Sequence, residues 1–259
     1  MTRQTVLETV RDGVALLTLN RPERRNAFNN QQYDDLRDAL AEAQASRDVC
    51  VVVLTGATGA FTGGQDLGEM GKPPPNDGKP HGFTPFVDQL STFDKPLIAA
   101  VNGVAVGIGV TMLLHCDIVY VAESARLRAP FTALGIVPEA GSTFLLPAII
   151  GPQRAADLFF TAAWITAPRA VELGLAARVV ADADLLPAAL AKAAEIAAQP
   201  LGAVRDTKRL LLAARADALR AARTREDTLQ LSRINSAENR EAIRAFQEKR
   251  PPDFTRLRS

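Results

Sequence analysis

Two runs near the start of the chain, QTVLETV (4–10) and VALLTLN (14–20), carry apolar side chains at alternating positions and are separated by Asp12-Gly13. A period of two puts one side-chain set on a buried face, and Asp-Gly supplies the positive φ angles of a tight turn. The pattern therefore predicts an antiparallel hairpin at a sheet edge. Over 29–46 the period changes, with Tyr33, Leu36, Ala39, Leu40 and Ala43 recurring at the spacing of one helical face. A nearly all-apolar strand follows at 50–55, and this strand-helix-strand order predicts parallel pairing. Helical spacing over 83–93 leads into PLIAAV, then GVTMLLHC, which is apolar on every side, then IVYVA: a buried strand, a buried helix and a second buried strand. Helices are expected at 153–163 and 168–173 and a short strand at 177–180. Three more helices should lie across 185–199, 201–219 and 223–249, forming a separate helical end. No internal repeat is legible.

The breaks between these elements hold the candidate chemistry. GATGAFTGGQD (56–66) is a long glycine-rich loop, with Asp66 placed to cap a short helix running to Met70. GKPPPNDGKP (71–80) cannot form a helix or strand interior and is expected to be a mobile loop over a site, with His81 as a solvated neighbour. Gly103, Gly107 and Gly109 lie where the chain leaves the PLIAAV strand for the central helix, so bare N–H groups there could face an anion. The third glycine of a dinucleotide fingerprint is missing, because Val110, Thr111 and Met112 follow Gly109. Across 126–151, an apolar stretch broken by proline and glycine, Glu139 is the single carboxylate.

A hydrophobic content of 47% over 259 residues fits one sizeable domain with a small appendage. A cytoplasmic location is expected, with no secretory signal and no uninterrupted apolar run of membrane-spanning length. Cys50 and Cys116 form no C-x-x-C pair, so neither a disulfide framework nor a thiolate metal site is indicated. The net charge of +1 conceals an asymmetry: residues 203–259 hold 14 Lys and Arg against 8 Asp and Glu, and residues 1–202 hold 16 against 21. A phosphate-bearing small molecule or an acidic neighbouring subunit accounts for such a tail, whose charges are interleaved, and nucleic acid is not expected as a partner.

Five blocks in fixed order, LNRPERRNAFN, VVVLTGATGAFTGGQDLGEM, KPLIAAVNGVAVGIGVTMLLHCDIVYVAE, LGIVPEAGSTFLLP and AFQEKRPPDF, resemble the crotonase superfamily of enoyl-CoA hydratases and isomerases over essentially the whole chain. The resemblance implies an α/β fold, a spiral of β-β-α units carrying an acyl-CoA site over 1–200, and a helical trimerisation region over 201–259. It implies a homotrimer or a hexamer built as a dimer of trimers. The thioester oxygen would be held by the backbone N–H groups of Gln65 and Ile108. Coenzyme A would be met by Arg25, Ala27, Gly63, Gly64, Gln65, Asp66 and Leu67, and by Phe246 and Lys249 from the tail, commonly of a neighbouring subunit. Coenzyme A is part of the substrate, and no other cofactor and no metal is implied.

Where hydratases of this superfamily carry two glutamates, the motifs place Thr111 and Phe131, and neither can accept a proton from water. Glu139 falls where the dienoyl-CoA isomerase branch has its acidic base, and the wording around it is most similar to the 3,2-enoyl-CoA isomerase type. The expected activity is therefore transfer of a double bond from C3 to C2, with Glu139 as proton shuttle. The alternatives are hydration or another crotonase-type reaction, and acyl-CoA binding without turnover. For Glu139 itself, a bland alternative is a helix first turn, where negative charge is favoured. His115, one turn beyond Thr111, is expected to be a satisfied buried histidine.

Overall fold

The computed structural model describes residues 3–70 and 75–257. It begins with β1 (Val6–Arg11) and β2 (Val14–Leu19), paired antiparallel with Arg11 opposite Val14. Asp12 and Gly13 both take positive φ, 50° and 81°, as the hairpin required. α1 (Asn30–Ala45) starts at the Asn29 side chain, which accepts from the Gln32 N–H, and leads to β3 (Val51–Gly56), parallel to β2. β4 (Ala60–Thr62) and α2 (Phe83–Thr92) follow. The next unit is β5 (Leu97–Val101), β6 (Val104–Val106) and α3 (Ile108–Thr111), which tightens into a 3-10 turn at Met112–His115. Then come β7 (Ile118–Ala122) and β8 (Arg126–Arg128).

Successive strand pairs obey one rule. β3, β5 and β7 join the six-stranded sheet β1-β2-β3-β5-β7-β10, in which β10 is Arg178–Val180, while their followers β4, β6 and β8 join the second sheet, β4-β6-β8-β9, in which β9 is Ile165–Thr166. This is a repeat that the sequence conceals, because what recurs is geometry rather than residue identity. The chain winds as a spiral, and residues just after β4, β6 and β8 emerge beside one another, since β4 pairs with β6 and β6 with β8 in parallel.

The remaining elements close the body: α4 (Ser142–Ile150), α5 (Pro152–Thr161), β9 (Ile165–Thr166), α6 (Ala167–Glu172), β10 (Arg178–Val180) and α7 (Leu185–Ala197). α7 packs across β2, β3, β5 and β7, and α1 packs on β1 and β2. β3 and β5 are buried along their whole length, as continuous apolar runs in a parallel sheet should be. The tail is α8 (Leu201–Ala213), α9 (Ala216–Arg233) and α10 (Ala237–Gln247). Its first break therefore lies at 214–215, earlier than the periodicity suggests, because alanine and arginine favour helix on both sides of it. Among the described residues no helix is long and apolar enough to cross a membrane.

Two local expectations change. Residues 67–70 form turns rather than a helix, with the Asp66 side chain accepting from the Gly68 N–H. His81 is not a free solvated residue: its ring bonds to Asp34 and, at 2.7 Å, to Asp77, and these bonds hold the imidazole above its ordinary pKa. Of the 71–80 loop, residues 71–74 lie outside the described residues.

The tail is fastened to the body by charge as well as by packing. The buried Lys208 ammonium of α8 donates to the Lys95 carbonyl at 2.6 Å and to Asp117 at 2.8 Å. Arg205 and Arg209 both reach Asp94. Lys208→Met keeps the apolar stem, leaves the Lys95 carbonyl without this donor and removes the counter-charge of Asp117, which keeps only the Leu97 N–H, so urea unfolding should show a loss of about 2 kcal/mol.

Candidate active site

Parallel pairing of β4 with β6 sets the geometry. The register shifts between Ala60 and Thr62, so β4 carries an irregularity just before it ends. Beyond it, Gly64 (φ 91°) passes so close to β6 that an added Cβ would lie 2.7 Å from the Val106 carbonyl oxygen. Gly107 begins α3 at φ 56° and ψ −116°, a conformation open to glycine and strained for other residues. Both turns thereby present main chain rather than side chain to the space beyond the strands. The N–H groups that follow, of Gln65 and Ile108, donate to no acceptor among the described residues, whereas their neighbours are engaged: Gly64 N–H to Thr62 Oγ1, Asp66 N–H to the Phe28 carbonyl, and Gly107 N–H to the Arg128 carbonyl. Two free donors on adjacent parallel turns, one of them the first residue of a helix, suit a developing oxyanion.

A buried net holds the Gln65 turn. Asn26 is fully buried, donates to the Ala57 and Ala60 carbonyls, and accepts from the Arg21 N–H through its side chain. Thr62 Oγ1 donates to the Asn26 carbonyl, and Gly63 N–H to that of Arg25. Arg21 pairs with Asp66 at 3.1 Å and donates to the Ala27 carbonyl. The structure thus brings Arg25, Ala27, Gly63, Gly64, Gln65 and Asp66 together, with Leu67 in the turn that follows. Arg25 is exposed and its side chain makes no hydrogen bond or ion pair among the described residues, which leaves its guanidinium available to a phosphate. Asn26, Arg21 and Thr62 escaped the sequence reading, although RRNAFN and AFTGG were both singled out.

Phe246 and Lys249 lie apart in bonding terms: both are exposed at the end of α10, and no hydrogen bond joins them to the Gln65 or Glu139 segments. Tyr33 was read only as core. It is core on one side, with Phe28 at 4.8 Å and Phe86 at 5.5 Å, but its hydroxyl donates to Gln65 Oε1 at 2.8 Å. Burial, and then the charge of Glu139, push that phenol well above its usual pKa. Tyr33 is thus bonded to Gln65, and the charge of Glu139 bears on its phenol.

Glu139 does not occupy a helix first turn. α4 starts at Ser142, and Glu139 sits in the preceding loop, where its carbonyl accepts from the Ser142 N–H. The helix-terminus effect that would favour its ionised form is thus weak, and desolvation prevails. Burial first, then the like charges of Glu226 and Asp227, push the Glu139 carboxyl up to about 8. Thr111 and Phe131 are both buried; the Thr111 hydroxyl has no hydrogen-bond partner among the described residues, and the Phe131 ring packs 6.3 Å from that of Phe159. Neither position supplies a carboxylate. No cluster of three or more potential metal-ligating residues occurs among the described residues.

His115 is buried, and its Nε2–H donates to the Ala140 carbonyl at 2.8 Å, since a carbonyl oxygen can only accept. Burial pushes its pKa down to about 4, against the stabilising effect of that bond and with the help of Arg215, Arg223 and Lys208. The folded protein therefore refuses a proton that the unfolded chain accepts below about 6.5. Between those values the unfolded state binds more protons, so stability is full above pH 6.5 and falls as pH drops toward 4, by roughly 3 kcal/mol from this group. Denaturant titrations from pH 7 to 4.5 should show this slope, and His115→Gln, which retains a donor for Ala140, should lose that part of it.

A profile described as enoyl-CoA hydratase/isomerase matches residues 9–257. The chain is 36% identical over 256 residues to the 1,2-epoxyphenylacetyl-CoA isomerase of Escherichia coli strain K12, covering 96% of this chain and 98% of the relative. It is 37% identical to the 2,3-dehydroadipyl-CoA hydratase of the same strain, covering 93% and 94%. The crystal structure of an enoyl-CoA hydratase/isomerase from Pseudoalteromonas atlantica T6c superposes with a TM-score of 0.93 at 37% identity, covering 97% of this chain and all of that one. Spiral, paired free N–H groups and sequence agree, and the chain belongs to the enoyl-CoA hydratase/isomerase family, with the crotonase fold.

Proposed function

We propose that this protein is an acyl-CoA isomerase that moves a double bond from C3 to C2, with Glu139 as the proton shuttle. The observation that carries the reading is the Glu139 carboxyl, raised to about 8 by burial and by Glu226 and Asp227, combined with buried Thr111 and Phe131 at the positions where hydration would need two glutamates. Ionised Glu139 takes a proton from C2 of a 3-enoyl-CoA, and the electron pair moves onto the thioester oxygen. The Gln65 and Ile108 N–H groups hold that dienolate oxygen, each worth roughly 3 kcal/mol in the transition state. Protonated Glu139 returns the proton at C4, and the 2-trans-enoyl-CoA results. A shuttle must both accept and give, which a pKa near 8 permits at neutral pH. One carboxyl suffices, and the step needs no metal or redox partner.

Coenzyme A would lie along the Arg25–Leu67 side of the site through Arg25, Ala27 and the backbone of 63–67. Phe246 and Lys249 would reach a neighbour's coenzyme A within a homotrimer or hexamer. The apolar residues exposed on the tail helices, Leu210, Leu211, Leu229, Leu231 and Phe246, support such an assembly.

Glu139→Gln keeps the size of the side chain and removes its basicity. Conversion of a 3-enoyl-CoA should fall by about 100- to 10,000-fold while acyl-CoA affinity stays close to wild type. In the wild type, kcat/KM should rise with pH and level off above about 8, the limb set by ionisation of Glu139 in the free protein. Rapid hydration of crotonyl-CoA by the wild type, or full isomerisation by Glu139→Gln, would overturn the reading. Light scattering at micromolar concentration should give three or six times the chain mass of 27.7 kDa; a value near one chain would remove the assembly and with it the role of Phe246 and Lys249.

A further inference from the structure

The segment that carries Glu139 has little structure of its own. Ala140 and Gly141, immediately after it, both take positive φ, 60° and 75°, and no regular element includes residues 135–141. What holds it comes from 85 residues away in the chain. Glu226 of α9 accepts from the Gly141 N–H at 2.6 Å through one carboxylate oxygen. Through the other it accepts from the Thr143 N–H at 2.8 Å and the Thr143 hydroxyl at 2.5 Å. Four residues on, along the same face of α9, the Gln230 side chain accepts from the Val137 N–H at 3.2 Å. Leu219, also on α9, packs so tightly that an added Cβ on Gly141 would lie 2.1 Å from its Cδ1. The clamp is therefore built on both flanks of Glu139.

Glu226 is a poor choice if only the cap of α4 mattered. It is buried, and its charge is one of the two that raise the Glu139 carboxyl. An Asn or Ser would cap a helix without that repulsion. We propose that Glu226 is a positioning residue for the proton shuttle: it fixes the Glu139 segment by three hydrogen bonds and keeps a second carboxylate facing it. This inference rests on Glu139 being the shuttle.

The charged and titratable groups around Glu139 are Glu226 and Asp227 on α9, Tyr33 on α1, and His115 behind Ala140. Arg223, also on α9, is drawn off by its ion pair with Asp88 at 2.7 Å. His115 is neutral at physiological pH, so the two acidic residues of α9 set the local sign. Removing the charge of Glu226 should lower the proton affinity of Glu139, and removing its reach should misplace it. Each effect has its own readout.

The test uses the full-length protein labelled with carbon-13 at glutamate carboxyls, Glu139 being assigned by its loss in Glu139→Gln. The wild-type midpoint should lie near 8, and Glu226→Gln should lower it by about one pH unit. In the same variant kcat for a 3-enoyl-CoA should fall about tenfold to a hundredfold with KM little changed. An unmoved midpoint in a folded Glu226→Gln protein overturns the proposal. Should that variant fail to fold, Glu226→Asp decides: it keeps the charge but is too short for all three donors, so the midpoint should stay high while kcat drops, and wild-type kcat would overturn the proposal. Because the titration needs no turnover, a moved midpoint in a protein that does not isomerise would sink the functional reading and leave the clamp standing.

Discussion

The approach of Gly64 to the Val106 carbonyl is the contact on which the site depends. Two parallel strands can bring two turns side by side, but only a residue without a Cβ lets the first turn lie flat against the second strand. An alanine there would push the Gln65 N–H away from the Ile108 N–H by roughly the overlap it creates, and oxyanion stabilisation falls steeply with donor distance. The net around Asn26 serves the same end, since it ties the loop after β2 to both ends of the irregular strand β4. Backbone donors can be preorganised only if everything around them is already bonded.

The acid-base half of the site obeys a different logic. Glu139 lies on a loop, and its pKa is raised by burial and by the like charges of Glu226 and Asp227 on α9. Desolvation and like charge act in one direction there, and the helix dipole that could have opposed them begins three residues later, at Ser142. Through Glu226 and Asp227 the tail helix α9 adds like charge to the surroundings of Glu139.

The hairpin, the first helix and the parallel pairing of β2 with β3 were legible from the alternation, the helical period and the strand-helix-strand order. β4, β6, β8 and β9 were not, since strands of two or three residues complete no more than one alternation. For the same reason the spiral repeat was invisible: its units share a path and little composition. The free N–H pair could be placed from glycine positions and the resemblance together. Glu139 could be singled out as an isolated carboxylate, but whether burial or the helix terminus governed it turned on where α4 begins. Tyr33 looked like any other member of an apolar stripe, because a hydroxyl at the far end of a ring leaves no mark on periodicity. Glu226, one of several charges on a mixed helix, gave no signal of its burial.

The main-chain origin of the Gln65 and Ile108 donors bears on how such a protein can change. An amide hydrogen is supplied by nineteen of the twenty residue types, so point substitution at either position rarely deletes the donor. The donor pair is in that sense shielded from mutation, while positions such as Thr111, Phe131 and Glu139 present side chains that a single-codon exchange replaces. A lineage carrying this spiral can therefore vary a few side chains around the donors without first surrendering the donors themselves.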